Sequence, residues 1–411
     1  MIDNKVILEQ LENYDSFYMY DEEGIKTSIQ NLKENFKNIN FLYSMKTNNN
    51  YEVVKSIVSE DIGVDAASAR EVMIAKNNDV KRENIQYSAP GKSIKDIKET
   101  INDCIIIADS LNEIDNINKV AKQNNMIAQI GIRVNPSFSF YKSEGVSSKF
   151  GIDENQLFDK IEKILNYPNI NIVGLHIHLK SQELDIEVLK NYYQNVVKLA
   201  KNFQNKTKYE LAFLNMGSGI GINYSSKDLP IDLNELGTYT QELVTELKTE
   251  FPNLEIYIET GRYLVGKNGV YVTKVLDRKI SYGKTYVILH NTLNGFIRPS
   301  LAKLISSYAE NEELGGSEPL FTSKNAFEFT PVNKNRTNES EKVTLVGNLC
   351  TGTDVISNDI YIKKLEIGDG IIINNAGSYA EVLSPIQFSS QRASQSLFLT
   401  KNKQVINTQK N

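Results

Sequence analysis

FLYSMKTNNNYEVVKSIVSEDIGVDAASAREVMIAKN, residues 41–77, sets the pattern from which the rest of the chain is read. Two short apolar runs, 41–46 (FLYSMK) and 62–66 (IGVDA), are bounded by polar residues and read as strands. The stretch that follows, 68–77 (SAREVMIAKN), carries its apolar residues at helical spacing. The alternation continues through 84–87 (NIQY), 104–109 (CIIIAD), 128–134 (AQIGIRV), 170–178 (INIVGLHIH), 211–216 (LAFLNM) and 255–259 (EIYIE). Amphipathic segments such as SLNEIDNINKVAKQ and LKNYYQNVVKLAKNF separate these runs. Asp109–Ser110 and Asp153 have the chemistry of helix caps. Strands alternating with helices imply parallel pairing. Eight such units over this length suggest a (β/α)8 barrel, with a doubly wound sheet as the structural rival.

After about residue 274 the period changes. KVLDRKI, TYVILH, AFEFTPV, KVTLVG, DIYIKKLEI and DGIIINNA alternate with period 2 between Gly, Asn and Asp, which reads as a β-rich second domain. The expected organisation is an N-terminal segment 1–25 joining the β-domain, a barrel over 26–274, a β-rich domain over 275–399 and a frayed tail over 400–411. Residues 309–336 are polar and weakly periodic, as a long loop or insertion would be.

Composition narrows the function classes. The 411 residues are 40% hydrophobic and 24% charged, as in a globular protein, with a formal net charge of −5 that offers no basic nucleic-acid footprint. No run of about 18 apolar residues is present to span a membrane, and the N-terminus lacks the order of a signal peptide. Two cysteines, Cys104 and Cys350, cannot form a disulfide framework, so a cytoplasmic location is expected. With three histidines in all, no metal site is expected.

In a barrel, chemistry gathers at the carboxyl ends of the strands. The polar residues there are Lys46, Asp65, Arg133, His178, the 217–221 loop and Glu259. A lysine at a partly buried strand end can have a lowered pKa and act as a nucleophile toward carbonyls, although exposure is a lysine's default. His176 and His178 share a strand face, which suits ring packing better than metal binding. NMGSGIG is either a phosphate cradle or an ordinary tight turn, and it lacks the third glycine of the dinucleotide fingerprint. Glu259 can hold a protonated heterocyclic nitrogen and Arg262 a phosphate, or the two can pair with each other. Cys350 and Asp354 are an acid–base pair, or a packed thiol and a turn aspartate.

Taken in order, YSMKTN, GVDAASAREV, APGKS, IRVNP, KFGI, GLHIHLKSQ, NMGSGIG, ETGRYLV, CTGTD and NAGSY resemble the fold-type III pyridoxal-phosphate (PLP) decarboxylases, the family of ornithine and diaminopimelate decarboxylases. The likeness runs from about Phe17 to about Phe388. It implies a PLP-binding barrel with a β-domain, which agrees with the periodicity. It also implies that Lys46 forms the internal Schiff base, that His178 stacks on the cofactor ring and that Glu259 pairs with the pyridine nitrogen. By the same likeness Gly217, Ser218, Gly219, Arg262, Ser181 and Tyr379 hold the phosphate, while Asp65 and Arg133 line the pocket. Cys350 matches the residue that protonates the intermediate after carbon dioxide leaves, and Asp354 a substrate-contacting acid, with Tyr379 also near substrate. In this family the Cys–Asp segment enters the other subunit's barrel, which implies a homodimer with active sites at the interface.

Several positions depart from the family's pattern. HxGS has become HLKS, placing Lys180 near the phosphate turn; GGG is Gly217-Ser218-Gly219, EPGR is ETGR, and the DAG segment is His290-Asn291-Thr292. NGFIRPS makes Arg298 a candidate for a substrate carboxylate, as in diaminopimelate decarboxylases, but Ala302 stands where a tyrosine is usual and Thr351 where a glutamate follows the cysteine. An uncharged threonine is a poor partner for a distal cation. CTxxD and VYVTKVLD look more like branches in siderophore or antibiotic pathways, whose substrates carry a large acyl or carrier-bound substituent. The resemblance therefore implies a decarboxylase of a modified or carrier-linked amino acid. The alternatives are diaminopimelate decarboxylase, an inactive homologue that binds a partner protein, and a racemase of the same fold, for which CTGTD would be unexplained.

Overall fold

The computed structural model describes residues 2–217, 219–225, 228–308, 318–323, 325–333 and 339–410. The chain runs through helix α1 (Asn4–Leu11) and strand β1 (Ser16–Asp21) before it enters a barrel. The barrel strands are β2 (Asn40–Ser44), β3 (Gly63–Ala66), β4 (Ile85–Tyr87), β5 (Ile105–Ala108), β6 (Ala128–Asn135), which is flanked by the two-residue β7 (Ile152–Asp153), β8 (Ile170–His176), β9 (Phe213–Asn215) and β10 (Glu255–Thr260). Every pairing among them is parallel, and the contacts of β5 with β6 and of β10 with β2 close the ring. Eight strands thus form a closed parallel barrel, and a doubly wound sheet is excluded.

The helices start where the sequence supplies caps. Asn50 caps the helix Tyr51–Val58 by accepting two backbone N–H bonds. Ser68 caps Ala69–Asn77, Ser93 makes a capping box with Asp96, and Ser110 caps Leu111–Gln123. Asp153 stands at the N-cap of Glu154–Leu165 but makes no cap bond; its carboxylate accepts Asn135 Nδ2 instead.

Alternate residues of the strands point into the barrel, and they are layered. Ile105, Ile107 and Phe213, with Tyr257 and Val173 against them, form an apolar plug. Gly174 makes room for it, since a Cβ there would lie 2.3 Å from the Phe213 ring. Two residues further along the strands the inward side chains become polar: Asp65, Gln86, Arg133, His176, Asn215 and Glu259 are all buried. The plug keeps water out from below, and the polar layer above it forms the floor of the site.

The second unit is a nine-stranded sheet. It contains β11 (Gly269–Ser281), β12 (Lys284–Leu289), β13 (Phe329–Val332), β14 (Ser340–Gly347), β15 (Val355–Lys363), β16 (Gly370–Ile373), β17 (Gln395–Leu399) and β18 (Val405–Asn407). Its remaining strand is β1, which lies antiparallel to β11 and parallel to β17. The tail does not fray as expected: Val405–Asn407 pairs with β17, and Thr408 Oγ1 donates to Ser396 O while accepting Asn50 Nδ2. Of the expected 309–336 insertion, 318–323 and 325–333 are described, and they include β13.

Candidate active site

Lys46 sits just past β2 in a single 3-10 turn, Met45–Thr47, rather than in the strand itself. Thr47 Oγ1 donates to Ser44 O at 2.8 Å and Tyr43 Oη donates to Asn48 O at 2.7 Å, so the turn is fixed from both sides. The Lys46 amine points at Asp65 Oδ2, 3.2 Å away across the β2–β3 register. Asp65 is fully buried and receives Ser88 Oγ–H on its other oxygen. Burial disfavours the ammonium, but Asp65, Glu259 and Tyr379 outweigh it and raise the Lys46 pKa. The lowered pKa expected from a strand end is thereby corrected, because a carboxylate stands within ion-pair reach.

Glu259 ends β10 under the same cavity. Burial opposes its charge, yet His176 and His178 hold the carboxyl well below the usual carboxylate range. His176 Nε2 donates to Oε1 at 2.6 Å and His178 Nδ1 lies 3.3 Å from Oε2. Burial in turn lowers the His178 pKa against the pull of Glu259, which leaves its ring neutral at neutral pH. Arg133, expected to line the pocket, braces it from behind. Its guanidinium donates to Ser88 O and His178 O, pairs with Asp109 at 3.6 Å and lies over the Phe150 ring.

A cavity is lined by Lys46, Thr47, His178, Ser181, Gln182, Gly261, Arg262 and Tyr379 among others. Tyr379 comes from the β-domain; its N–H donates to Thr47 O at 2.8 Å, while Asn48 Nδ2 donates to Gly377 O. The two units therefore meet at the cavity. Arg262 donates to Gln182 Oε1 at 3.2 Å and pairs with Glu318, and its Nε is buried with no partner among the described residues.

The glycine turn shows a division of labour. Gly217 has φ +69°, and a Cβ there would lie 2.3 Å from Ile177 O, so only glycine fits. Its N–H is already taken by Asn215 Oδ1. Gly219, at φ +140°, accepts Glu183 N–H. Ser218 lies outside the described residues. Lys180 turns outward, pairing with Glu183 at 3.0 Å and lying over Tyr141.

The remaining expected residues stand apart from this cavity. Arg298 is fully buried, donates to Thr322 Oγ1, Ser378 O and Tyr224 Oη, and is flanked by the rings of Tyr224 and Phe327. Asp354 is also buried: Oδ1 accepts Thr292 Oγ1–H and Leu293 N–H, and Oδ2 accepts Leu349 N–H. Cys350 is exposed, its Sγ 3.9 Å from Ser389 Oγ.

A family model described as pyridoxal-dependent decarboxylase, pyridoxal binding domain, matches residues 22–266. The chain belongs to this family. It is 30% identical to the L-glutamyl-(BtrI acyl-carrier protein) decarboxylase of Niallia circulans over 90% of this chain and 86% of that one. It is 29% identical to the 2-((L-alanin-3-ylcarbamoyl)methyl)-2-hydroxybutanedioate decarboxylase of Staphylococcus aureus over 94% of each. The crystal structure of Helicobacter pylori diaminopimelate decarboxylase complexed with L-lysine superposes with a TM-score of 0.80 at 26% identity, over 96% of this chain and 93% of that one.

The family's cofactor is pyridoxal phosphate, and the cavity fits it. An amine lines one wall, an ionised carboxylate lies beneath, and an arginine with an unpartnered Nε stands beside a turn where only glycine fits. Sequence reasoning passed over Asn215, Gln86, Tyr224, Gln182 and the ion-pair role of His176. For His176 the signal was its place two residues before His178; for Asn215 it was its place two residues before the glycine turn.

Proposed function

We propose that this decarboxylase removes the α-carboxylate of an amino acid carrying a large acyl or carrier-linked substituent, in a homodimer whose sites are shared between subunits. The observation that carries the reading is Lys46 in the cavity wall above a Glu259 carboxylate held ionised. Bound there, pyridoxal phosphate supplies an electron sink for the charge left at Cα when carbon dioxide departs. Glu259 would hold the ring nitrogen through an anionic oxygen that favours its protonated form, and His178, in the cavity lining, would pack against the ring. Arg262, Ser181 and Tyr379 line the cavity and would hold the phosphate, for which Arg262 would exchange its pairing with Glu318. Asp65, paired with the Lys46 amine at 3.2 Å, holds it in the cavity wall.

The substrate class follows from missing charges. Thr351 after Cys350 offers nothing to a distal cation, and Arg298 is buried among Tyr224, Phe327 and Thr322 rather than lining the cavity. Both arguments weigh against diaminopimelate. They agree with the relatives named above, whose names give as substrates a carrier-linked glutamyl group and a hydroxybutanedioate joined by an amide to an alanin-3-yl group. Cys350 does not line the cavity of its own chain, which supports delivery of its proton to a neighbouring subunit. The two unpaired cysteines fit a cytoplasmic setting.

Carbon-dioxide release from diaminopimelate, ornithine, free glutamate, a glutamyl thioester and an amino acid acylated on its side-chain nitrogen, the last two with the α-amine free, tests the reading, with Lys46→Ala as the blank. The expected result is release from the acylated substrates above the blank. Preference for diaminopimelate would overturn the substrate class, and no release from any would favour a partner-binding homologue.

A further inference from the structure

Asn215 closes a ring of three hydrogen bonds that joins the glycine turn to Glu259. Gly217 N–H donates to Asn215 Oδ1 at 2.8 Å, Glu259 N–H donates to Gly217 O at 2.6 Å, and Asn215 Nδ2 donates to Glu259 Oε1 at 3.1 Å. The second Nδ2 hydrogen goes to Gln86 Oε1 at 2.7 Å on the opposite wall of the barrel. Asn215 is 0% exposed, and Gln86 and Glu259 are each 1% exposed. A side-chain amide has two N–H donors and one carbonyl oxygen, and here all are engaged.

The orientation matters as much as the count. His176 and Asn215 both donate to Oε1, so Glu259 cannot rotate without breaking two buried bonds. Oε2 is left on the side of His178, which lines the cavity. At the other end, the bond from Gly217 N–H fixes the first residue of the turn in its left-handed conformation. Aspartate would keep the acceptor for Gly217 but lose both donors and set a second carboxylate against Glu259. Leucine, of similar volume, would supply neither donor nor acceptor.

We propose that Asn215 is a positioning residue that couples the two ends of the cofactor site, aiming the Glu259 carboxylate at the ring nitrogen and holding the Gly217–Gly219 turn against the phosphate. The inference rests on the reading of Lys46 and Glu259 given above and extends it to a side chain that touches neither substrate nor cofactor.

The test separates the ends. Wild type, Asn215→Asp and Asn215→Leu are titrated with pyridoxal 5′-phosphate and with pyridoxal, which lacks the phosphate, following the visible absorption band and the affinity for each. Asn215→Asp should shift the band and weaken both ligands by about tenfold or more, as expected for losing a bond to a charged group, while leaving their affinity ratio at the wild-type value. Asn215→Leu should in addition lower that ratio, because the phosphate turn is released. A merely structural role would lower the melting temperature and leave band position and ratio alone. If the leucine variant does not fold, the aspartate variant decides alone, and a band and affinities equal to wild type overturn the proposal. If wild type takes up neither ligand with a visible band, the Lys46 reading fails first and this one with it.

Discussion

Glu71 lies 9% exposed beside the floor of the site, its Oε2 accepting Ala67 N–H at 2.6 Å. Burial, with Asp65 adding to it, pushes its carboxyl up to about 7 against the pull of the Ala67 N–H and Lys46. A folded-state pKa raised above the ordinary carboxyl value means that the neutral form is favoured in the fold. That contribution is fully present below the ordinary value and is lost as pH rises through about 7. Glu71→Gln should therefore match wild type near about pH 5 and melt higher by roughly 2 °C or more near about pH 8. Melting curves across that range check it, and parallel curves would contradict it. At Cys350 the expectation is chemical: the exposed thiol lies 3.9 Å from Ser389 Oγ and outside the lining of the cavity, so Cys350→Ala should keep wild-type cofactor affinity while losing correct protonation of the product. Product analysis beside a cofactor titration checks this, and loss of the cofactor would contradict the assignment. At this scale the sequence was informative about residue type and silent about state. Lys46 stood out as a strand-end lysine, but its raised pKa depends on an Asp65 that the pairing of β2 with β3 brings to 3.2 Å.

Asp354 acts on a whole turn rather than on one atom. Its carboxylate collects Thr292 Oγ1–H, Leu293 N–H and Leu349 N–H, and its own carbonyl accepts Gly347 N–H, so the segment carrying Cys350 is tied to the segment after β12. Asp354→Asn would turn an NH2 group toward donors, at a cost of about 1–3 kcal/mol. Hydrogen exchange should quicken in peptides spanning 345–356 while the barrel strands stay protected; unchanged protection in that segment would contradict the clamp. Elements differed in how far they could be read in advance. The barrel strands are apolar runs buried on both faces, as in Ile105–Ala108, so all of them were legible with ends off by one to two residues. β1 and β18 were harder. Val405–Asn407 is short and only half-buried, and it becomes a strand because β17 offers it an edge, which no local pattern announces.

At the scale of the molecule, the cavity is built by two units of one chain, yet Cys350 lies outside it. If two copies exchange their Cys350 turns, each site takes Lys46 from one subunit and Cys350 from the other. Two-fold symmetry then makes a specific forecast for mixed dimers. Lys46→Ala and Cys350→Ala should each be unable to form the normally protonated product alone. Unfolded together and refolded at equal amounts, half of the dimers would be mixed, and each mixed dimer would carry one site with both lesions and one with neither. Normal product should return to about a quarter of the wild-type rate. A mixture as inactive as its parents would mean that each barrel works with its own Cys350, and the exchange of turns between subunits would be overturned.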